Sequence, residues 1–233
     1  MTPPIIPELV LIDLDGTLID TVPDLAFAVD GMMSQLELPQ RGEEKVRRWV
    51  GNGIERLVKR ALLDQLEGEP DEDLFQSALH LFKILYAESN GHHSVLYPGV
   101  REGLDWLESQ GYVLACITNK AEQFTTPLLK QLNVYDEFRL VISGDSLPKK
   151  KPDPMPLLYA ADHFKVDPHH ALMLGDSIND VQAARAAGFQ IICVSYGYNH
   201  GEDIRDASPD AVIDSFAELS HWLGPKKSST LSN

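Results

Sequence analysis

Cysteine and positive charge are scarce in this chain of 233 residues, and long hydrophobic runs are missing. Its two cysteines, Cys116 and Cys193, cannot make a disulfide framework, and both lie in apolar runs, which predicts buried thiols in strands. No apolar run approaches the roughly 18 residues of a membrane span. Residues 1–7 contain three prolines and no cationic start, which argues against a signal peptide. We therefore expect a cytoplasmic protein with no membrane partner.

The deficit of positive charge limits the possible ligands. The chain has 20 Lys and Arg residues against 35 Asp and Glu residues, a formal net charge of −15. A protein this acidic does not attract nucleic acid as a whole, so we expect no nucleic-acid partner. If its ligand is an anion, cations must be concentrated at the binding site. The length fits one large domain, or one domain that carries a smaller inserted one.

Continuous apolar runs predict the strands of an open α/β sheet. The runs do not alternate with polar residues, which is typical of parallel strands covered on both faces, and amphipathic segments between them predict helices. The strands are predicted at residues 9–15, 113–119, 140–144, 171–176 and 191–196, with a weaker candidate at 211–213. Helices are predicted at 100–110, 124–132 and 178–187. The fold class is therefore a Rossmann-like parallel sheet.

Residues 21–97 interrupt this alternation. Apolar residues recur there at helical spacing in three sets, which begin at Val22, Val46 and Leu74, and no strand pattern is visible among them. We predict an all-helical cap domain, inserted into a discontinuous core of residues 1–20 and 98–224. The acidic run 66–73 predicts a solvated loop within the cap. Residues 225–233 are polar and predict a flexible tail.

Two acidic residues close the first predicted strand. Asp13 and Asp15 are two positions apart, so their carboxylates should project to the same side of an extended chain. Open α/β sheets bind ligands at the carboxyl ends of their strands. Two acids after a buried strand are costly unless they share a cation or a proton there. The alternative is that Asp15-Gly16 is merely a turn.

Polar residues also follow the second strand. Thr118 and Asn119 offer a hydroxyl and backbone N–H groups that suit a phosphate oxygen, although Thr118 could equally be the N-cap of the next helix. Lys151 belongs to the densest cationic run of the predicted core, in which we expect Lys149 and Lys150 to be ordinary surface residues.

The strand at 171–176 adds two more acids. Asp176 stands at its tip, and Asp180 falls on the same face of the helix that begins there, where it could also simply cap that helix. Several carboxylates around one point favour a hard divalent cation, Mg²⁺, and the absence of Cys and His from this set argues against zinc. With Mg²⁺ and a lysine present, the natural substrate is a phosphate and the available nucleophile is a carboxylate.

These strand-end residues, in this order, resemble the four signatures of the haloacid dehalogenase-like phosphohydrolases. The matching segments are residues 13–20, Thr118-Asn119, Lys151 and residues 175–180. The helical insertion resembles the family's cap. Within the family, residues 49–53, 144–148 and 151–154 are most similar to bacterial phosphoglycolate phosphatases.

The resemblance implies a role for each residue. Asp13 would attack phosphorus and form an aspartyl-phosphate, while Asp15 would protonate the leaving alkoxide and then deprotonate the hydrolytic water. Lys151, Thr118 and the N–H of Asn119 would hold the phosphate. The implied Mg²⁺ ligands are Asp13, the backbone carbonyl of Asp15, Asp176 and, directly or through water, Asp180.

The expected partner is a small phosphorylated metabolite, and we predict that the protein hydrolyses 2-phosphoglycolate to glycolate and phosphate. We expect the protein to be a monomer or a small homo-oligomer. A sugar-phosphate mutase or another small-metabolite phosphatase of the same family is the alternative. A phospho-accepting signalling module is the alternative of a different class. The segment Gly51-Asn52-Gly53 precedes a predicted helix, so its N–H groups could face a substrate carboxylate, or it could be a plain turn.

Overall fold

The computed structural model describes residues 6–225, and the predicted flexible tail lies outside the described residues except for Pro225. Strands account for a small share of this part of the chain. In chain order they are β1 (Leu9–Ile12), β2 (Ile19–Asp20), β3 (Val95–Leu96), β4 (Val113–Ile117), β5 (Leu140–Ile142), β6 (Ala171–Gly175), β7 (Gln190–Val194) and β8 (Ala211–Ile213).

Six of these strands form one parallel sheet in the order β5-β4-β1-β6-β7-β8. β1 lies between β4 and β6, and its last residue, Ile12, is in register with Cys116 and with Leu174. The polar residues that follow these three strands therefore meet at one edge of the sheet. The observed strands end up to three residues earlier than predicted, because the polar residues at each tip form loops over the crevice rather than sheet pairs.

The helices that follow β3 cover both faces of the sheet, whereas those before β3 lie in the insertion. In chain order the helices are α1 (Val22–Gln35), α2 (Gly42–Trp49), α3 (Ile54–Leu63), α4 (Glu72–Ser89), α5 (Val100–Ser109), α6 (Glu122–Gln131), α7 (Met155–Phe164), α8 (Ile178–Ala187) and α9 (Leu219–Trp222). Alternate residues of β1 enter different cores: Val10 and Ile12 pack with α5 and α6, whereas Leu9 and Leu11 pack with α7 and α8. The continuous apolar runs thus reflect burial on both sides.

Both cysteines are buried and unpaired, as predicted. Cys116 lies in β4 and Cys193 in β7, and each faces one of the two cores beside the sheet. Burial raises the pKa of both thiols above the ordinary value, so they stay protonated at neutral pH. Among residues 6–225, no helix combines the length and the hydropathy that crossing a bilayer requires.

Helices α1 to α4, called the cap block below, form a separate hydrophobic core. Its centre contains Val29, Met32 and Phe82, and α1 packs along α4. The prediction of no strand in residues 21–97 was wrong, because β3 pairs antiparallel with β2 beside this block. Two residues are too few to carry an alternation pattern; the ribbon forms where the two chain crossings between sheet and cap block run side by side.

The acidic run at residues 66–73 remains exposed but is ion-paired. Glu67 and Glu69 contact the side chains of Arg56 and Lys59 on α3. Pairs this exposed contribute little stability, because water and salt screen their charges. They nevertheless hold the loop against α3.

Candidate active site

Three buried carboxylates meet at the carboxyl edge of the sheet. Asp13 follows β1, Asp176 follows β6, and Asp180 lies in the first turn of α8. One carboxylate oxygen from each residue lies within 4.8 Å of the others. Of the four residues predicted to bind the metal, three therefore meet through their side chains.

Asp176 is fixed by partners on two loops. The Thr17 hydroxyl donates to its Oδ1 at 2.8 Å, and the backbone N–H of Tyr198 donates to its Oδ2 at 2.6 Å. Gly16 approaches closely as well: its φ is +86°, and a Cβ there would stand 2.3 Å from Asp176 Oδ2. Only glycine satisfies both conditions at position 16. The Asp15-Gly16 segment is thus a turn, as the alternative held, and it also packs on the acid cluster.

Asp180 has two roles, one local and one at the cluster. Its Oδ2 accepts from the Ser177 N–H at 3.1 Å and from the Ser177 hydroxyl at 2.8 Å, which ties down the start of α8. Its Oδ1 accepts from Lys151 Nζ at 2.7 Å. The capping alternative and the cluster prediction therefore both describe this residue.

Lys151 is the cation at the centre of the cluster. Besides Asp180, its Nζ contacts Asp13 Oδ1 at 2.8 Å and donates to the Ile117 carbonyl at 2.7 Å. Both of its neighbours are exposed, as predicted, and Lys149 pairs with Asp153 at 2.9 Å. Lys150 is more than a surface residue, because its Nζ donates to the Asn52 carbonyl of the cap block at 3.0 Å.

The cluster holds more negative charge than Lys151 neutralises. Burial raises the pKa of Asp13 to about 7; Lys151 opposes this shift and Asp180 adds to it. Burial, followed by repulsion from Asp180 and Asp13, raises the pKa of Asp176 well above its usual range. Buried oxygen donors with surplus negative charge, and without Cys or His among them, are the set that a hard divalent cation prefers. The donor set therefore fits Mg²⁺.

The side chain of Asp15 lies apart from this cluster and pairs with a different lysine. Lys120 Nζ contacts Asp15 Oδ1 at 3.0 Å and donates to the hydroxyl of Tyr86, on α4 of the cap block. Burial opposes the charge of Lys120, but Asp15 and Tyr86 outweigh it, so its pKa lies above the ordinary value. Burial raises the pKa of Tyr86 to about 12.

Thr118 and Asn119 both line the site. The Thr118 hydroxyl accepts from the Lys120 N–H at 3.1 Å, and the N-cap residue of α6 is Ala121, so the N-cap alternative for Thr118 was wrong. Asn119 Nδ2 donates to the Gly51 carbonyl of the cap block at 3.0 Å. A second bond, of 2.9 Å, joins Asn119 Nδ2 to the Lys151 carbonyl. The Asn119 side chain thus joins the cap block to the loop that carries Lys151, a contact that the sequence alone did not suggest.

A cavity of about 40 Å³ separates these polar residues from the cap block. On the core side it is lined by Asp13, Asp15, Thr118, Asn119 and Lys120, and on the cap side by Leu25, Val50, Gly51, Gly53, Ile54 and Leu57. Its polar wall carries two carboxylates, each paired with its own lysine, and its cap wall is largely apolar. Such a site can hold a small anion while keeping bulk water away from the carboxylates.

The chain is similar to known proteins over most of its length. A family model described as haloacid dehalogenase-like hydrolase matches residues 10–194. A phosphoglycolate phosphatase from Nitrosococcus oceani is 64% identical over 217 residues, which cover 93% of this chain and 96% of that protein. Another relative, from Nitrosospira multiformis and also named phosphoglycolate phosphatase, is 51% identical over 92% of this chain and 94% of its own.

Solved structures agree with these matches. The crystal structure of a predicted phosphoglycolate phosphatase from Haemophilus somnus 129PT has a TM-score of 0.86 and 38% identity, and the match covers 91% of this chain and 96% of that one. The chain therefore belongs to the haloacid dehalogenase-like hydrolases.

Proposed function

We propose that this protein is a Mg²⁺-dependent phosphatase that hydrolyses 2-phosphoglycolate to glycolate and phosphate. The observation that carries the proposal is the pair of carboxylates, Asp13 and Asp15, which line one small cavity beneath an apolar cap wall. The name of the relatives, phosphoglycolate phosphatase, supplies the substrate. Because that substrate is a soluble metabolite, we also propose that the enzyme acts in the cytoplasm.

In the first half-reaction, Asp13 is the nucleophile. Its Oδ1 accepts from the Leu14 N–H at 2.7 Å and contacts Lys151 at 2.8 Å, so we assign the attack on phosphorus to Oδ2. A bond forms between Oδ2 and phosphorus as the ester P–O bond breaks. The leaving alkoxide takes the proton of the Asp15 carboxyl group, and glycolate departs.

In the second half-reaction, Asp15 acts as the base. Its carboxylate removes a proton from a water molecule, whose oxygen attacks phosphorus, and the acyl-phosphate bond to Asp13 breaks. Phosphate leaves, and both carboxyl groups return to their starting states. Lys151 and Thr118 are proposed to hold the phosphoryl oxygens while charge shifts onto them.

The proposed metal ligands are Asp13, Asp176 and the backbone carbonyl of Asp15. Bound Mg²⁺ supplies positive charge that reduces the repulsion between the nucleophile and the phosphate dianion. Each oxygen of Asp176 accepts one neutral hydrogen bond, whereas Asp180 Oδ1 is paired with the Lys151 ammonium group and Asp180 Oδ2 accepts three hydrogen bonds, from the N–H of Asp176 and from the N–H and hydroxyl of Ser177. We therefore propose that Asp180 orients Lys151 and reaches the metal through water.

A substrate panel tests this proposal. The purified protein is assayed for steady release of inorganic phosphate with Mg²⁺, using 2-phosphoglycolate, glucose 1-phosphate and purine monophosphates. We expect the highest kcat/KM for 2-phosphoglycolate, because the cavity is small and its cap wall offers few partners for sugar hydroxyls. A hundredfold preference for either of the others would contradict the substrate, and labelling of Asp13 without turnover would indicate a signalling module.

A further inference from the structure

Lys120 is a buried cation that the mechanism above does not use. It follows β4 directly after Thr118-Asn119, and only 2% of its side chain is exposed. Taking an ammonium group out of water is expensive unless it is well paired. A charged lysine at this position therefore requires partners that compensate the loss of its hydration.

Its partners come from opposite sides of the cavity. On the core side, Lys120 Nζ contacts Asp15 Oδ1 at 3.0 Å. On the cap side, it donates to the Tyr86 hydroxyl and lies 4.9 Å from the centre of that ring. Lys120 thus connects the proposed acid and base of the reaction to a helix of the cap block.

Tyr86 is itself held firmly. The side chain is fully buried, and its ring centre lies 5.4 Å from that of Phe82 and 4.7 Å from that of Phe124. Phe82 belongs to the cap block, whereas Phe124 belongs to α6 of the core. These contacts hold the Tyr86 hydroxyl against Lys120, so a movement of α4 relative to the core would separate the two groups.

The contact also orients Asp15. Lys120 binds Oδ1, and this restricts rotation of the carboxyl group, so that Oδ2 is the oxygen available to a leaving group in the cavity. A general acid or base works only within hydrogen-bond reach and in the correct direction. Lys151, in contrast, contacts Asp13 and Asp180, so the two lysines serve different carboxylates.

We propose that Lys120 is a positioning residue for Asp15, and that the Tyr86 hydroxyl makes this positioning depend on the cap block. The inference rests on the proposed role of Asp15 as acid and base. When the cap block is in place, Tyr86 and Lys120 hold the carboxyl group toward the leaving oxygen. When it moves away, Lys120 loses one partner and Asp15 loses its fixed direction, so proton transfer is limited to the state that excludes water.

The test uses the acidity of the leaving group, with kcat/KM measured for 2-phosphoglycolate, phenyl phosphate and 4-nitrophenyl phosphate. An alkoxide needs a proton from Asp15 as it leaves, phenolate needs it less, and 4-nitrophenolate hardly at all. We expect Lys120→Met to lower kcat/KM about 100-fold for 2-phosphoglycolate and less than about threefold for 4-nitrophenyl phosphate. Lys120→Arg should restore part of the loss.

Tyr86→Phe provides a second variant in case Lys120→Met does not fold, because it removes one oxygen and keeps the buried ring. We expect about a tenfold loss with the same dependence on the leaving group. The matched controls are Lys130→Met, at the exposed end of α6, and Tyr159→Phe, on the exposed face of α7. Both should retain the kcat/KM of the unmodified protein for all three substrates.

Two results would overturn the inference. Equal losses for every leaving group would mean that Lys120 supports the fold or the phosphate site. A loss confined to 2-phosphoglycolate, with the ratio of the two aryl phosphates unchanged, would mean that Lys120 binds the substrate carboxylate. If the unmodified protein hydrolysed none of the three esters, the proposed function itself would fail, which is a distinct outcome.

Discussion

At the scale of single residues, the site consists of carboxylates whose charge is costly. Asp13 and Asp176 are buried beside Asp180, and the pKa values of the first two are raised mainly by burial. In such a cluster, the buried charges that activity requires lower the free energy of unfolding. Substitution of a reacting acid should remove activity without unfolding the protein.

Asp13→Asn tests this conflict. We expect turnover to fall by at least about 10³-fold, because an amide is a poor nucleophile. Since the pKa of Asp13 is raised to about 7, its ionised form lowers stability at neutral pH, and the melting temperature should stay equal or rise. Phosphate release and thermal unfolding are measured beside Asp162→Asn, an exposed residue of α7. Retained turnover would refute Asp13 as the nucleophile.

Gly16→Ala tests the packing of the turn on Asp176. The change combines a positive φ of +86° with a Cβ 2.3 Å from Asp176 Oδ2, so we expect the loss of Mg²⁺-dependent activity and a cost of about 1–3 kcal/mol or more. Gly42→Ala is a matched control: its φ is +75°, but nothing lies within 4 Å of the added Cβ. Equal effects of the two substitutions on activity would contradict a contact with Asp176.

The residues of the site were predictable to different degrees. Asp13, Thr118 and Asp176 could be identified because each directly follows a recognisable strand, and parallel strands bring their ends together. Lys120 was not identified, although it stands next to Asn119. Its inward direction depends on Tyr86, 34 positions earlier in the chain, and no local pattern encodes that contact.

At the scale of elements, one buried side chain ties the first cap helix to the chain that leaves the cap block. Asp24, in the first turn of α1, accepts from the N–H groups of Gly91, His93 and Ser94 at 2.8, 2.9 and 3.0 Å. The Ser94 hydroxyl donates to it as well, at 2.6 Å. Burial opposes the ionisation of Asp24, but these hydrogen bonds outweigh it, so its pKa is lowered.

Asp24→Asn should therefore destabilise the protein in a pH-dependent way. An amide oxygen and NH₂ group cannot accept all of these donors, which costs about 2–3 kcal/mol at pH 7. Because the folded pKa lies below the ordinary value of 3.8, this stabilisation is complete above pH 3.8 and disappears as the pH falls through the folded pKa. Urea unfolding of both proteins at pH 7 and pH 3 measures the difference, with the exposed Asp73→Asn as a control. A difference that did not shrink at pH 3 would refute the role of ionised Asp24.

Elements were predictable where the pattern was long. The five strong strand candidates and the weaker one at 211–213 all correspond to sheet strands, because continuous apolar runs of this length fit burial on both faces. Helix α7 was not predicted: it follows Pro154 and contains Pro156, and its buried face comes from packing against α8, β1 and β4. The ribbon of β2 and β3 depends on a pairing between distant segments.

At the scale of the whole molecule, the net charge of −15 acts against an anionic substrate. Four of these acids, Asp13, Asp15, Asp176 and Asp180, lie at the proposed site, where Lys120 and Lys151 supply two positive charges. A divalent cation would bring the site close to neutrality. Binding of a phosphate should then require the metal.

Metal removal tests this dependence. We expect isothermal titration of inorganic phosphate to give binding with Mg²⁺ present and none after chelation. Mg²⁺ alone should raise the melting temperature, since a ligand at about 100 times its Kd adds about 2.7 kcal/mol to stability. Asp176→Asn should abolish this rise, whereas Asp73→Asn should preserve it. Equal phosphate affinity with and without Mg²⁺ would contradict the proposed site.

The ribbon of β2 and β3 has a consequence for how such a molecule can diversify. Asp20 and Val95 are partners across it, so the chain departs for the cap block and comes back through adjacent positions. Residues 21–94 therefore take the place of the turn in a hairpin of β2 and β3. The free energy of closing such a loop depends only weakly on its length. A different domain could therefore be inserted between β2 and β3 without a change in the geometry of the acid cluster, because that cluster is built from the ends of the sheet strands. The same hydrolytic site could in this way act on different substrates, according to the domain inserted beside it.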